Sequence, residues 1–199
     1  DSWDRCCETL TQNKVSDIVI NEDIRNIDFK EYKSKVEGII GGPPCPPFSQ
    51  SRHYLKDKKK GFEDEIAGFA VPEYFRAVQE VNPRFFLFEN VDGFMYKTHR
   101  EALDFLEKKS LELGYTITYK VINSANYGIP QTRKRFICVG VKSELKKFEF
   151  PKETHVDPKK NDGRSLDWVT CGFALKEFDN ISEEEKTQKP GSKHSHLLR

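Results

Sequence analysis

The stretch Gly41-Gly42-Pro43-Pro44-Cys45-Pro46-Pro47-Phe48-Ser49 constrains this chain more than any other. A cysteine stands among four prolines, directly after an apolar run at residues 36–40 and a Gly-Gly pair. Proline fixes φ and gives up its N–H, so this backbone is stiff and cannot continue a strand. Glycines let the chain turn sharply and come close to a ligand. The pattern predicts a buried strand ending in a rigid loop that holds one thiol in a set direction. A cysteine used only for packing needs none of this. A lone functional cysteine nonetheless needs support elsewhere in the sequence, and without it the stretch is a Pro-rich loop with an incidental thiol.

The 199 residues suffice for one domain with a real core. Lys and Arg total 33 against 32 for Asp and Glu, so bulk charge does not advertise a nucleic-acid partner, and any such role must come from local patches. No apolar run is long enough for a membrane span. Cys6, Cys7, Cys45, Cys138 and Cys171 form neither a C-x-x-C nor a regular framework. They read as free thiols of a reducing, intracellular compartment, cytoplasmic in a prokaryote and nuclear in a eukaryote. His194 and His196 lack partners at metal spacing and read as a solvated tail, so no metal is expected.

Along the chain, residues 1–4 resemble the end of a strand running into a helix over residues 5–13, with sequence expected upstream. An apolar-leaning run at residues 15–20 and a turn at 21–24 follow. Residues 49–64 are polar and carry Arg52, His53, Lys56, Lys58, Lys59 and Lys60 without helical or strand period. This predicts a long loop whose cations suit phosphate contacts, although taken alone it is equally a solvated charge run. Pro72 opens a helix that Asn82-Pro83 ends. The run at 84–88 predicts a strand covered on both faces, ending in Glu89-Asn90. Thr98 and Glu101 match a capping box, Leu103, Leu106 and Leu113 follow a helical period, and Gly114 suits the C′ position. Strands are predicted at 115–122 and 136–141, with a turn-rich connector at 123–130. After Pro151 charged residues and proline dominate. Residues 1–150 therefore read as a catalytic body, and 151–199 as a linker or the start of a further region, with a short apolar patch at 166–175. Alternating strands and helices predict a Rossmann-like α/β fold, a mostly parallel sheet with helices on both faces. Ligands of such sheets collect at the strand carboxyl ends.

The candidate chemistry is one thiol, one carboxyl and two arginines. Cysteine attacks only as thiolate. Glu89, after buried apolar residues, is expected to be desolvated, with a raised pKa suited to proton donation. Arg133 and Arg135 are two apart and share a face in extended chain. Arginine's planar fork suits a phosphate or a carbonyl oxygen. The set fits addition of a thiolate to an electron-poor ring. Taken singly, Glu89-Asn90 is equally a polar turn and the arginines a solvated strand edge. Their joint order favours chemistry.

These residues resemble the motifs of the cytosine-C5 DNA methyltransferase family. Residues 42–49 resemble its Pro-Cys motif, Phe88-Glu89-Asn90-Val91 its Glu-Asn-Val motif, and Gln131-Thr132-Arg133-Lys134-Arg135 its Gln-x-Arg-x-Arg motif, with Tyr127-Gly128 in the lead-in. The likeness runs from Trp3 to about Val141. It implies the methyltransferase fold and transfer of a methyl group from S-adenosyl-L-methionine to C5 of a cytosine flipped out of double-stranded DNA. By the same resemblance Cys45, Glu89, Arg133 and Arg135 are catalytic. Trp3, Asp23, Ile24 and Pro44 hold the cofactor, while Ser49, Arg52 and Asn90 serve the DNA side, Asn90 by positioning the loop of Cys45. A prokaryotic or phage modification system is the implied setting. Ser2 stands where the family has a ribose-binding glutamate, Pro46 replaces a glutamine, and residues 64–71 match poorly. The Gly-rich first motif, the target-recognition region and the last two motifs are absent. The implied whole is a larger or split enzyme, completed by missing segments or a complementary chain, with this piece alone neither binding cofactor well nor methylating. A tRNA cytosine methyltransferase of the related branch and a non-catalytic nucleic-acid binder are the alternatives.

Overall fold

A computed structural model of the chain describes residues 1–44 and 68–176. It resolves into two compact units, one made of residues 1–122 and 134–150, the other of residues 123–133 and the chain from residue 151 on.

The first unit is built around a sheet of order β1-β2-β4-β3, with β1 at Gly38–Gly41, β2 at Phe85–Val91, β3 at Tyr115–Asn123 and β4 at Lys134–Lys142. Three helices accompany these strands in sequence: α1 (Asp4–Gln12), α2 (Ala70–Val81) and α3 (Arg100–Glu112). The α/β class read from the sequence is the one observed. β1 and β2 run parallel, as expected, while β4 pairs antiparallel with β2, so the described sheet is mixed.

β2 shows how the sequence dictates its setting. Its side chains alternate between faces. Phe86, Phe88 and Asn90 are buried, whereas Phe85 is exposed and Leu87, Glu89 and Val91 are only partly covered. This corrects the expectation of a strand covered on both faces, because an apolar run alone does not tell a doubly buried strand from one with a single dry face. The dry face meets α2, whose Val71, Phe75 and Val78 recur at helical spacing and are fully buried. Phe75 meets Phe86 edge-on at 5.6 Å between ring centroids, Phe86 meets Tyr115 at 5.1 Å, and Phe94 stacks on Phe136 at 4.9 Å. Such geometries add to the apolar burial itself. Cys138 lies in the same core, where burial pushes its thiol up to about 12, so it is a packing residue and no nucleophile.

Helix boundaries follow local signals with one exception. Asn82 ends α2 in the left-handed region (φ 52°), and Pro83 follows. Gly114 takes φ 76° just beyond α3. The Thr98–Glu101 capping box does not form. A 3₁₀ turn over Lys97–His99 runs straight into α3, and His99, at the N-cap, makes no side-chain capping bond.

In the second unit a 3₁₀ turn at Ser124–Tyr127 ends at Gly128 (φ 84°). Asn126 accepts a hydrogen bond from the Trp168 indole N–H at 2.9 Å, and its carbonyl accepts from Thr154 N–H. Short parallel strands β5 (His155–Val156) and β6 (Leu166–Asp167) precede a single-turn helix α4 (Cys171–Ala174). Leu166 and Phe173 are exposed. No described helix is long and apolar enough to cross a membrane.

Candidate active site and cofactor cavity

β1 ends at Gly41, opposite Phe88 of β2. The residue after each therefore emerges at the same sheet edge: Gly42, which leads through Pro43 and Pro44 toward residue 45, and Glu89. A Cβ added to Gly42 would lie 2.8 Å from Glu89 Oε2. A side chain at Gly42 would push the carboxylate aside, so the glycine lets the loop and Glu89 approach closely.

Glu89 is not in a turn. β2 continues to Val91 because its ladder with β4 continues, pairing Glu89 with Ile137 and Val91 with Arg135. Glu89 and Arg135 are diagonal neighbours on one face. Arg135 Nε meets Glu89 Oε1 at 2.9 Å, with side chains 24% and 36% exposed respectively. The desolvated carboxyl expected from the sequence is instead a partly exposed, ion-paired one, because the face of β2 that carries it is the open one.

Asn90, 1% exposed, points the opposite way. Its Nδ2 donates to the Pro43 carbonyl at 3.3 Å, and its Oδ1 accepts from Val91 N–H at 3.0 Å. A buried amide with both ends satisfied ties β2 to the loop two residues before Cys45.

Arg133 does not share the strand of Arg135. It precedes β4, belongs to the second unit and is exposed, and its N–H donates to Asn123 Oδ1 at 3.1 Å. The two-residue repeat that would place both arginines on one face holds only in extended chain, which begins at Lys134. Cys45, Ser49, Arg52 and the whole basic loop at residues 49–64 lie outside the described residues.

Beside this edge lies a cavity of about 800 Å³ whose walls include Ile20, Asp23, Ile24, Ile39, Gly41 and Pro44. Asp23, Ile24 and Pro44, singled out from the sequence, are thereby brought together. Trp3 is not part of the lining; it is 74% exposed at the N-cap of α1. Glu22, which the sequence reading passed over, does line the cavity. Its carboxylate accepts from Asn26 Nδ2 and from Asp23 N–H, and these bonds hold it below the usual carboxylate range. Asp23 opens a 3₁₀ turn at Ile24–Asn26 and accepts from the side chain and backbone N–H of Arg25, which lowers its pKa to about 2. The Arg25 guanidinium lies 4.3 Å from the centroid of the Phe69 ring.

Solved structures place this architecture. A candidate DNA modification methyltransferase encoded within an Escherichia coli prophage superposes with a TM-score of 0.55 at 27% identity, over 78% of this chain and 40% of that one. Dnmt2 methyltransferase of Schizosaccharomyces pombe superposes with a TM-score of 0.54 at 19% identity, over 74% and 42%, which is a likeness of fold. The fold is that of the methyltransferases. The C-5 cytosine-specific DNA methylase family matches over residues 1–197, and the chain belongs to that family. Among curated relatives, the type II methyltransferase M.SacI of Streptomyces achromogenes is 39% identical over 135 residues, 68% of this chain and 34% of its own length. The type II methyltransferase M.AquIA of Picosynechococcus is 32% identical over 202 residues, 94% of this chain and 77% of its own length. The chain spans about a third of the length of M.SacI and of M.PspPI.

Proposed function

We propose that these residues form the catalytic and cofactor-binding portion of a DNA cytosine-5 methyltransferase that uses S-adenosyl-L-methionine. The observation that carries this is the meeting of Glu89 with the Gly42-Pro43 backbone at the carboxyl ends of two parallel strands, fastened by Asn90 and bordered by the cavity. Family membership supplies the reaction class.

The cavity's walls fit the cofactor. Its volume falls in the range of small-molecule sites, about 300–1,000 Å³. Isoleucines flank it, Glu22 and Asp23 supply acceptors for hydroxyl or amino groups, and Gly41 and Gly42 leave the sheet edge bare. When bound, the cofactor supplies the methyl group. Asp23, Ile24 and Pro44 would hold it, and Trp3, which lies outside the lining, would have to move to join them.

The thiolate of Cys45 adds to C6 of the flipped cytosine, forming an S–C6 bond. Glu89 protonates N3, so the ring's electron pair becomes available at C5. Arg135 holds Glu89 and binds O2. Once C5 carries the methyl group, N3 returns its proton to Glu89, C5 loses its own proton to solvent, the S–C6 bond breaks, and the thiolate is restored. Asn90 sets the approach of the Cys45 loop, and Ser49 and Arg52 contact backbone phosphates.

The test is trapping of the complete protein that carries these residues by duplex DNA containing 5-fluorocytosine in the presence of cofactor. A covalent adduct is expected, absent in Cys45→Ser. No adduct with DNA, or label transfer to tRNA in its place, overturns the reading.

A further inference from the structure

The wall of the cavity that carries Asp23 and Ile24 has almost no core of its own. Residues 22–29 contain no buried residue, and the two short 3₁₀ turns at Ile24–Asn26 and Lys30–Tyr32 bury nothing. Something other than packing must hold it.

One side chain does so. Arg76 projects from the middle of α2 and donates through Nη2 to the Ile24 carbonyl at 2.6 Å and through Nη1 to the Ile27 carbonyl at 3.0 Å. Its Nε binds Glu73 Oε2 at 2.7 Å and its Nη1 binds Glu80 at 3.1 Å, so carboxylates one turn before and one turn after fix the guanidinium. Glu80 also accepts from Phe29 N–H at 3.0 Å, and the Phe29 ring lies 5.3 Å from the guanidinium. Glu73, Arg76 and Glu80 are 21%, 29% and 18% exposed, partly sheltered from water, where charge-assisted bonds gain strength. Ile24, Ile27 and Phe29 all line the cavity. The opposite side of α2 is anchored in the aromatic core through Phe75 and Val78.

We infer that Arg76, buttressed by Glu73 and Glu80, is a positioning residue for the cofactor: it ties the Asp23–Ile24 wall to the rigid helix and so sets the shape of the cavity before ligand arrives. The inference rests on the cofactor reading above. The planar fork is what permits one cation to reach two carbonyls and two carboxylates, which a lysine cannot reproduce. Preorganisation of this kind acts on affinity, because the wall need not be ordered at the moment of binding.

The test uses the complete protein, with Arg76→Met and Arg76→Lys compared against Glu107→Gln. The last variant weakens the Tyr119–Glu107 contact between β3 and α3, away from the cavity. S-adenosylhomocysteine affinity is measured by calorimetry and backbone amide exchange by mass spectrometry on the ligand-free protein. Arg76→Met is expected to weaken binding about tenfold and to speed exchange across residues 24–29 by a similar factor. Arg76→Lys should recover part of both, and Glu107→Gln should change neither. The KM for cofactor should rise while kcat at saturation holds. Unchanged exchange at 24–29 in Arg76→Met, or an equal loss of affinity in Glu107→Gln, overturns the inference. Failure of the unaltered protein to bind S-adenosylhomocysteine overturns the cofactor reading instead, and is told apart because the exchange response to Arg76→Met survives it.

Discussion

The two sides of α2 are held by different physics. One presses Val71, Phe75 and Val78 into a set of rings that includes Phe86, Phe88, Phe94 and Phe136, all fully buried. The other presents Glu73, Arg76 and Glu80 to a wall that buries almost nothing and is held through carbonyls and one N–H. Burial of rings is non-directional and indifferent to protonation. The polar side is directional and depends on charge. The scaffold is therefore built to be fixed, and the ligand wall to be placed.

The largest expected effect breaks the apolar side. Phe86→Ala removes a ring in contact with Tyr74, Phe75 and Tyr115 and should cost about 3–5 kcal/mol of stability, measured by urea unfolding. A loss below about 1 kcal/mol would mean that the aromatic cluster is not the core of the unit.

A smaller effect is expected where the two regimes meet. Asn90→Ala leaves the Pro43 carbonyl and the Val91 N–H without their partner and should cost about 1–3 kcal/mol. Its sharper signature is kinetic: adduct formation should slow more than DNA binding weakens. Equal losses in both would make Asn90 a mere filler of the core.

The smallest effect sharpens the polar side. The folded pKa of Asp23 is about 2, lowered first by the Arg25 side chain and then by its N–H. An unfolded aspartate titrates at about 3.9. A depressed carboxyl contributes above the unfolded value and loses its contribution as pH falls through the folded one. In the folded protein the Arg25 amide resonance should therefore titrate with a midpoint near pH 2 while that of Phe86 stays still, and Asp23→Asn should abolish the titration.

These contrasts explain what the sequence disclosed. α2 and β2 were legible because periodicity and the Asn82-Pro83 stop are local. The extension of β2 through Glu89 was not, since it depends on pairing with β4 nearly fifty residues later. The order of the Pro-Cys, Glu-Asn-Val and Gln-x-Arg-x-Arg segments singled out a candidate set, of which Glu89, Asn90 and Arg135, with Gly42, lie at or beside one sheet edge. Arg133 was grouped with Arg135 by a rule that applies only to extended chain. Arg76 went unnoticed although Glu73, Arg76 and Glu80 show the i, i+3 and i, i+4 pattern of a helical charge cluster. That pattern discloses the carboxylate partners but not the carbonyls 49 and 52 residues away.

Placing Glu89 inside a ladder instead of on a loop has an evolutionary corollary. Glu89 is flanked by Phe88 and Asn90, whose side chains point into the dry interior, so its aim is inherited from how tightly that interior fits. Changes of loop length, the usual raw material for altering an enzyme's selectivity, leave that aim untouched. Lineages that re-aim this carboxylate must do so by exchanging bulky residues beneath the strand, and such changes would first surface as differences in interior volume.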